Sequence, residues 1–164
     1  MRINKLYLDM DGVLCDFNKR YTEIFNVSPE ITRDNKSFNG YFDKFIEDKQ
    51  FATLDWIPGA IDALSYISKL PVQVEILSST ARDEFYDQIS KQKIIWLKNR
   101  GIDFPSTFVP GKKHKYKFAT PDSIIIDDTK SVITDWEKAG GIAIHHTDWN
   151  TTISKLTELL TTPK

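Results

Sequence analysis

Apolar positions along the chain fall into two alternating rhythms. Short dense runs, Ile3 to Leu8, Val72 to Leu77, Ser123 to Ile126 and Gly141 to Ile144, with a briefer one at Thr107-Phe108-Val109, have the length of strands buried on both faces. Between them the spacing becomes helical. Ile61, Leu64, Ile67 and Leu70 follow Pro58-Gly59; Phe85, Ile89, Trp96 and Leu97 precede Arg100-Gly101. Val132, Trp136 and Ala139 stop at Gly140-Gly141, and Ile153, Leu156 and Leu160 mark a last stretch. Proline near a helix start and glycine past its end are the usual punctuation. Alternating strand and helix predict an α/β fold, a doubly wound parallel sheet.

One stretch breaks the alternation. Residues 16–57 are polar and rich in aromatics, without a strand signal. Phe17, Tyr21 and Phe25 have helical spacing, as do Tyr41, Phe42 and Phe45. The expectation is a small helical cap inserted after the first strand, with residues 1–15 and 58–164 forming the α/β core. The plainer alternative is a helical extension packed on the sheet edge.

Composition narrows the picture. A chain of 164 residues suits one domain. With Lys+Arg at 22, Asp+Glu at 23 and a net charge of -1, no polyanion-binding surface stands out, and no stable nucleic-acid partner is expected. No apolar run reaches membrane-spanning length, so no membrane association is expected either. The single cysteine, Cys15, excludes an internal disulfide framework and multi-cysteine zinc patterns, which fits a cytoplasmic setting.

The chemistry-bearing residues gather at predicted strand ends. Asp9 and Asp11 follow the first strand, Ser78-Ser79-Thr80 the second, and Asp127-Asp128 the run from Ser123. A cluster of Lys112, Lys113, Lys115 and Lys117 precedes that run. In open α/β sheets the functional crevice lies beyond the carboxyl ends of the strands, which makes these residues one set. Four carboxylates on one rim would repel one another unless a cation neutralised them. All-oxygen ligation suits Mg2+, with Asp9, Asp11, Asp127 and Asp128 as the expected ligands. Asp-x-Asp-Gly alone is also a common turn sequence, so its weight comes from the second acidic pair.

Leu6-Tyr7-Leu8-Asp9-Met10-Asp11-Gly12, Ile76-Leu77-Ser78, the lysine cluster and Ile124-Ile125-Ile126-Asp127-Asp128 resemble, in order, the four motifs of the haloacid dehalogenase (HAD) superfamily of phosphotransferases. The resemblance implies a phosphomonoesterase of HAD-like, Rossmann-type fold. Asp9 would be the nucleophile, Asp11 the general acid/base, Ser78 a hydroxyl donor to the phosphoryl group and Lys115 the motif lysine. Lys117 is the alternative lysine and, with Ser79, a candidate substrate contact. Asp9 through Phe17 and Trp56-Ile57-Pro58-Gly59-Ala60 further resemble the 5'(3')-deoxyribonucleotidases. That narrower likeness implies a nucleoside monophosphate substrate whose base stacks on aromatics such as Phe17. Another small or polynucleotide phosphomonoester is the alternative substrate, and exposed cap aromatics leave room for a homodimer.

Competing motifs fit less well. A phosphate-accepting receiver domain puts its acidic pair after the first strand and its phosphoacceptor after the third, unlike this order. The spacing of Cys15 and Arg20 is too short for a cysteine-phosphatase loop, and Ser106 and Lys113 break a Walker motif at required positions. Adjacent strand residues face opposite ways, so His145 and His146 do not share an ion.

Overall fold

The computed structural model describes residues 2–33, 35, 37 and 40–161. Five strands, β1 (Lys5–Leu8), β2 (Gln73–Ser79), β3 (Ser106–Val109), β4 (Ser123–Asp127) and β5 (Ile142–His145), pair in parallel in the order β3-β2-β1-β4-β5. Each apolar run singled out in the sequence lies on one of them. Parallel strands bury both faces, and alternating side chains divide between two cores. Leu6, Leu8, Ile76, Ile124 and Ile126 pack with α4 (Ala60–Ile67), α5 (Tyr86–Asn99) and α7 (Trp149–Thr161). Tyr7, Leu77 and Ile125 meet α6 (Lys130–Lys138), with Phe118 of the 3-10 segment Lys112–Phe118 beside them. Helices on both faces of a parallel sheet make this the doubly wound α/β fold that the alternation predicts.

The helical spacings deviate from expectation in detail. Ile61 is 58% exposed, so α4 turns its Ala60, Ala63 and Ile67 face to the core instead. Phe85 belongs to a 3-10 turn (Asp83–Phe85) ahead of α5, where its ring meets Phe42 at 5.4 Å between centroids. Among the described residues no helix is long and apolar enough to cross a membrane.

Between β1 and α4 the chain forms α1 (Phe17–Phe25), α2 (Pro29–Arg33), α3 (Tyr41–Glu47) and a 3-10 turn (Gln50–Thr53). Asp16 caps α1 by accepting from Lys19 N at 3.1 Å, as a short acidic side chain does for otherwise unpaired helix donors. Where this segment leaves and rejoins the sheet, its ends run side by side. Asp16 N donates to Asp55 O at 2.9 Å and Ile57 N to Leu14 O at 2.8 Å. Its interior is aromatic: the Phe17 ring stacks on Phe51 at 5.4 Å, and Phe45 meets both.

Helix α5 fastens the segment to the sheet. Gln92 accepts from Phe51 N at 3.1 Å and donates to Ile46 O at 2.8 Å. Trp96 Nε1 and an Arg100 guanidinium nitrogen donate to Leu54 O, at 2.7 and 2.8 Å. Phe45, Phe51 and Leu54 thus share one apolar core with Leu8 and Ile76.

Candidate active site

The strand order makes β1 central, with β2 on one side and β4 on the other, so the chain reverses its winding direction beside β1. Leu8 is level with Ile76 of β2 and Ile126 of β4, and Asp9 N donates to Ile126 O at 3.1 Å. This register brings Asp9, Asp127 and Ser78 to one rim. Lys115, buried in the 3-10 segment, donates to Asp9 Oδ1 at 2.9 Å and to Asp127 Oδ2 at 2.7 Å.

Asp9, Asp127 and Asp128 each offer a carboxylate oxygen, and these atoms lie within 4.8 Å of one another. Asp11 stands apart from that trio. Its Oδ2 accepts from Lys93 Nζ at 3.0 Å, and its Oδ1 lies 3.4 Å from Cys15 Sγ. Burial, reinforced by the Asp11 charge, pushes the Cys15 thiol well above its ordinary pKa, so the sulfur is a donor here.

Opposing forces set the charges of the site. Burial alone would raise Asp9, but the Lys115 ammonium, helped by Lys93 and Lys112, holds that carboxyl below the usual range. Burial likewise opposes the charge of Lys115, and Asp9 and Asp127 reverse the shift and raise it well above the ordinary lysine value. Burial and the Asp9 charge raise Asp127 in spite of Lys115. Burial and the charges of Asp9 and Asp127 push Asp128 up to about 7. One ammonium therefore does not balance three acids, and the trio has the donors and charge for a hard cation. Carboxylate oxygens alone suit magnesium.

Gly12 supplies the room for this arrangement. Its φ is +82°, and a Cβ there would stand 2.0 Å from Asp128 Oδ2, so the third acid lies directly against the glycine.

The other sequence candidates occupy varied surroundings. Ser78 is fully buried at the end of β2, while Ser79 is half-buried and its Oγ accepts from Ala81 N at 3.0 Å. Lys117 is exposed, 3.1 Å from His114 Nδ1. Lys112 reaches Thr129 Oγ1 at 3.0 Å on the rim. Phe17 is half-buried among the aromatics of the segment between β1 and α4. His145 and His146 diverge, His145 Nε2 lying 3.0 Å from Asp128 O and His146 Nδ1 2.7 Å from Thr152 Oγ1.

Sequence reasoning passed over Lys93. It lies on α5, is 1% exposed, and reaches both Asp11 and Ser78. One signal was present in the sequence, since Lys93 stands four residues after Ile89 and three before Trp96, on the face that should be apolar.

The sheet order and the acids at its strand ends are those of a HAD-type hydrolase. Solved structures agree on the fold: a hydrolase from Streptococcus pneumoniae aligns with a TM-score of 0.59 at 15% identity, covering 96% of this chain and 100% of that one. A dehalogenase aligns at 0.60 and 13% identity over 98% of both chains. A magnesium-bound HAD-hydrolase from Bacillus subtilis aligns at 0.55 and 14% identity, covering 99% of this chain and 100% of its own. A sequence search of curated proteins finds no match. Residues 2–154 match the sequence profile of the family described as "5' nucleotidase, deoxy (Pyrimidine), cytosolic type C protein", and the chain belongs to that family. It is an enzyme, a phosphoric monoester hydrolase whose substrate is a small phosphate ester.

Proposed function

We propose that the protein hydrolyses (deoxy)nucleoside 5'-monophosphates in a magnesium-dependent reaction through a phosphorylated Asp9. The observation that carries this reading is the buried Lys115 ammonium held between Asp9 and Asp127, with Asp128 completing an acidic trio. Lys115 occupies Asp9 Oδ1 and leaves Oδ2 free of that contact for attack on phosphorus. Asp9, Asp127 and Asp128 would hold the magnesium ion, whose chemistry here is Lewis-acid neutralisation of phosphoryl charge. In the first step an Asp9 oxygen bonds to phosphorus while the ester bond breaks, and Asp11 gives a proton to the departing oxygen. In the second, Asp11 takes a proton from the water that displaces Asp9 and releases inorganic phosphate. Ser78 donates to a phosphoryl oxygen.

Residues 16–57 serve as a cap over the crevice in this reading. The paired ends at Leu14–Asp16 and Asp55–Ile57 support it, as does the aromatic lining around Phe17, against which a base can stack. Ser79 and Lys117 are proposed rim contacts for the substrate. The family's description supports both the nucleotide substrate and a cytoplasmic setting.

The test is a panel of deoxynucleoside 5'- and 3'-monophosphates, sugar phosphates and a 3'-phosphorylated oligonucleotide, assayed with magnesium and with EDTA. Turnover is expected only with the metal, to favour nucleoside 5'-monophosphates, and to vanish in Asp9→Asn. Equal rates on all substrates would sink the nucleotide reading, and an active Asp9→Asn would sink the nucleophile.

A further inference from the structure

Lys93 is a charge at a core position. Its neighbours on the buried face of α5 are Ile89, Trp96 and Leu97, and a buried ammonium persists only where its donors are satisfied. An ammonium has three N–H donors and no acceptor. Lys93 Nζ meets three acceptors: Asp11 Oδ2 at 3.0 Å, Ser78 Oγ at 2.7 Å and Ser79 O at 2.8 Å. The Phe51 ring, its centroid 5.4 Å from Nζ, covers it on the side of the inserted segment. All of its donors are therefore committed to the protein. Lys93 acts on the reaction through other residues and does not itself touch the substrate.

The direction of these bonds has a consequence for Ser78. Because the ammonium can only donate, Ser78 Oγ is the acceptor in that contact and its own hydrogen points elsewhere. Among the described residues nothing accepts that hydrogen, although Ser78 is fully buried. The same ammonium fixes one oxygen of Asp11, whose other oxygen faces the Cys15 thiol. One cation thus contacts both the Ser78 hydroxyl and the Asp11 carboxylate.

We propose that Lys93 is a positioning residue that turns the Ser78 hydroxyl into a committed donor for the transferring phosphoryl group. The proposal rests on the phosphatase reading above. A purely structural lysine, one that only ties α5 to β2, would have a different signature: its loss would lower stability and leave the kinetics of the folded fraction intact.

A double-mutant cycle of Lys93→Met and Ser78→Ala, assayed on para-nitrophenyl phosphate with saturating magnesium, separates the two. Each single variant should lower kcat about a hundred-fold, the cost of losing one preorganised donor to a developing charge. KM should stay within about three-fold, because the lost interaction matters in the transition state. The double variant should be no more than about ten-fold slower than either single one, since both remove the same hydrogen bond. Lys93→Arg, which keeps donors at the position, should recover at least about ten-fold of the loss, and that recovery should disappear with Ser78→Ala.

Multiplicative losses in the double variant would overturn the proposal, as would wild-type kcat in a Lys93→Met enzyme that melts normally. Should the methionine variant fail to fold, the cycle of Lys93→Arg with Ser78→Ala carries the same decision. An inactive wild-type chain would overturn the phosphatase reading, and this proposal with it; an active wild type inactivated by Asp9→Asn leaves the outcome to Lys93 alone.

Discussion

Gly12 is where a sequence motif becomes a steric requirement. A methyl group there would collide with the Asp128 carboxylate, and the backbone already lies at a positive φ that side chains resist. Gly12→Ala should therefore cost about 1–3 kcal/mol of stability and displace Asp128 from the acidic trio. The check is thermal melting with and without magnesium: the metal-dependent rise in the midpoint should shrink in the variant, and an undiminished rise would remove Asp128 from the metal set. Asp9, Ser78 and Asp127 were legible because an apolar run that stops on a polar residue marks a strand end, and parallel strands bring such ends to one rim. Lys93 was not legible in this way. Its partner Asp11 lies 82 positions away, and lysine in an amphipathic helix ordinarily reads as surface. Only its register with Ile89 and Trp96 gave it away.

At the scale of elements, α5 does more than cover the sheet. Its buried Gln92 meets the backbone at Ile46 and Phe51, groups that water does not reach. Gln92→Ala should strand both and cost about 1–3 kcal/mol, read as a lower denaturant midpoint at unchanged m-value. Lys91→Ala, one position away on the exposed side, should change little. A Gln92→Ala chain as stable as wild type would show that the Gln92 hydrogen bonds do not help to hold the segment. The amphipathic period of α5 could be read from the sequence, but the burial of its Gln92-Lys93 pair could not. The partners of Gln92 sit on a segment whose place was visible only as a gap in the strand-helix alternation, and those of Lys93 at the ends of β1 and β2. The strands were the most readable elements because dense apolar runs bounded by polar turns have few other uses in a chain of this composition.

At the scale of the whole molecule, two titratable groups, the buried His146 and the half-buried Asp128, set opposing pH dependences. Burial lowers His146 from 6.5 to about 4 in the fold. The unfolded chain binds its proton first, so His146 stabilises the fold above pH 6.5 and loses that contribution as pH falls toward 4. Asp128 is raised from 3.8 to about 7, so its contribution is complete below pH 3.8 and is lost as pH rises toward 7. In the metal-free protein the two slopes have opposite signs between about pH 4 and 6.5. His146→Gln should melt lower as pH rises, and Asp128→Asn lower as pH falls. Flat profiles for both variants would show that neither group controls stability. The parallel order β3-β2-β1-β4-β5 has a further consequence, for how the chain becomes an enzyme. Pairing of β1 with β4 joins distant parts of the sequence, as the Asn4–Asp122 hydrogen bond does across 118 positions. Contacts of such separation form late in folding and slow it. Lys115 follows Asp9 by 106 residues, so a nascent chain carries the Asp9 carboxylate without its buried ammonium until most of the sheet exists.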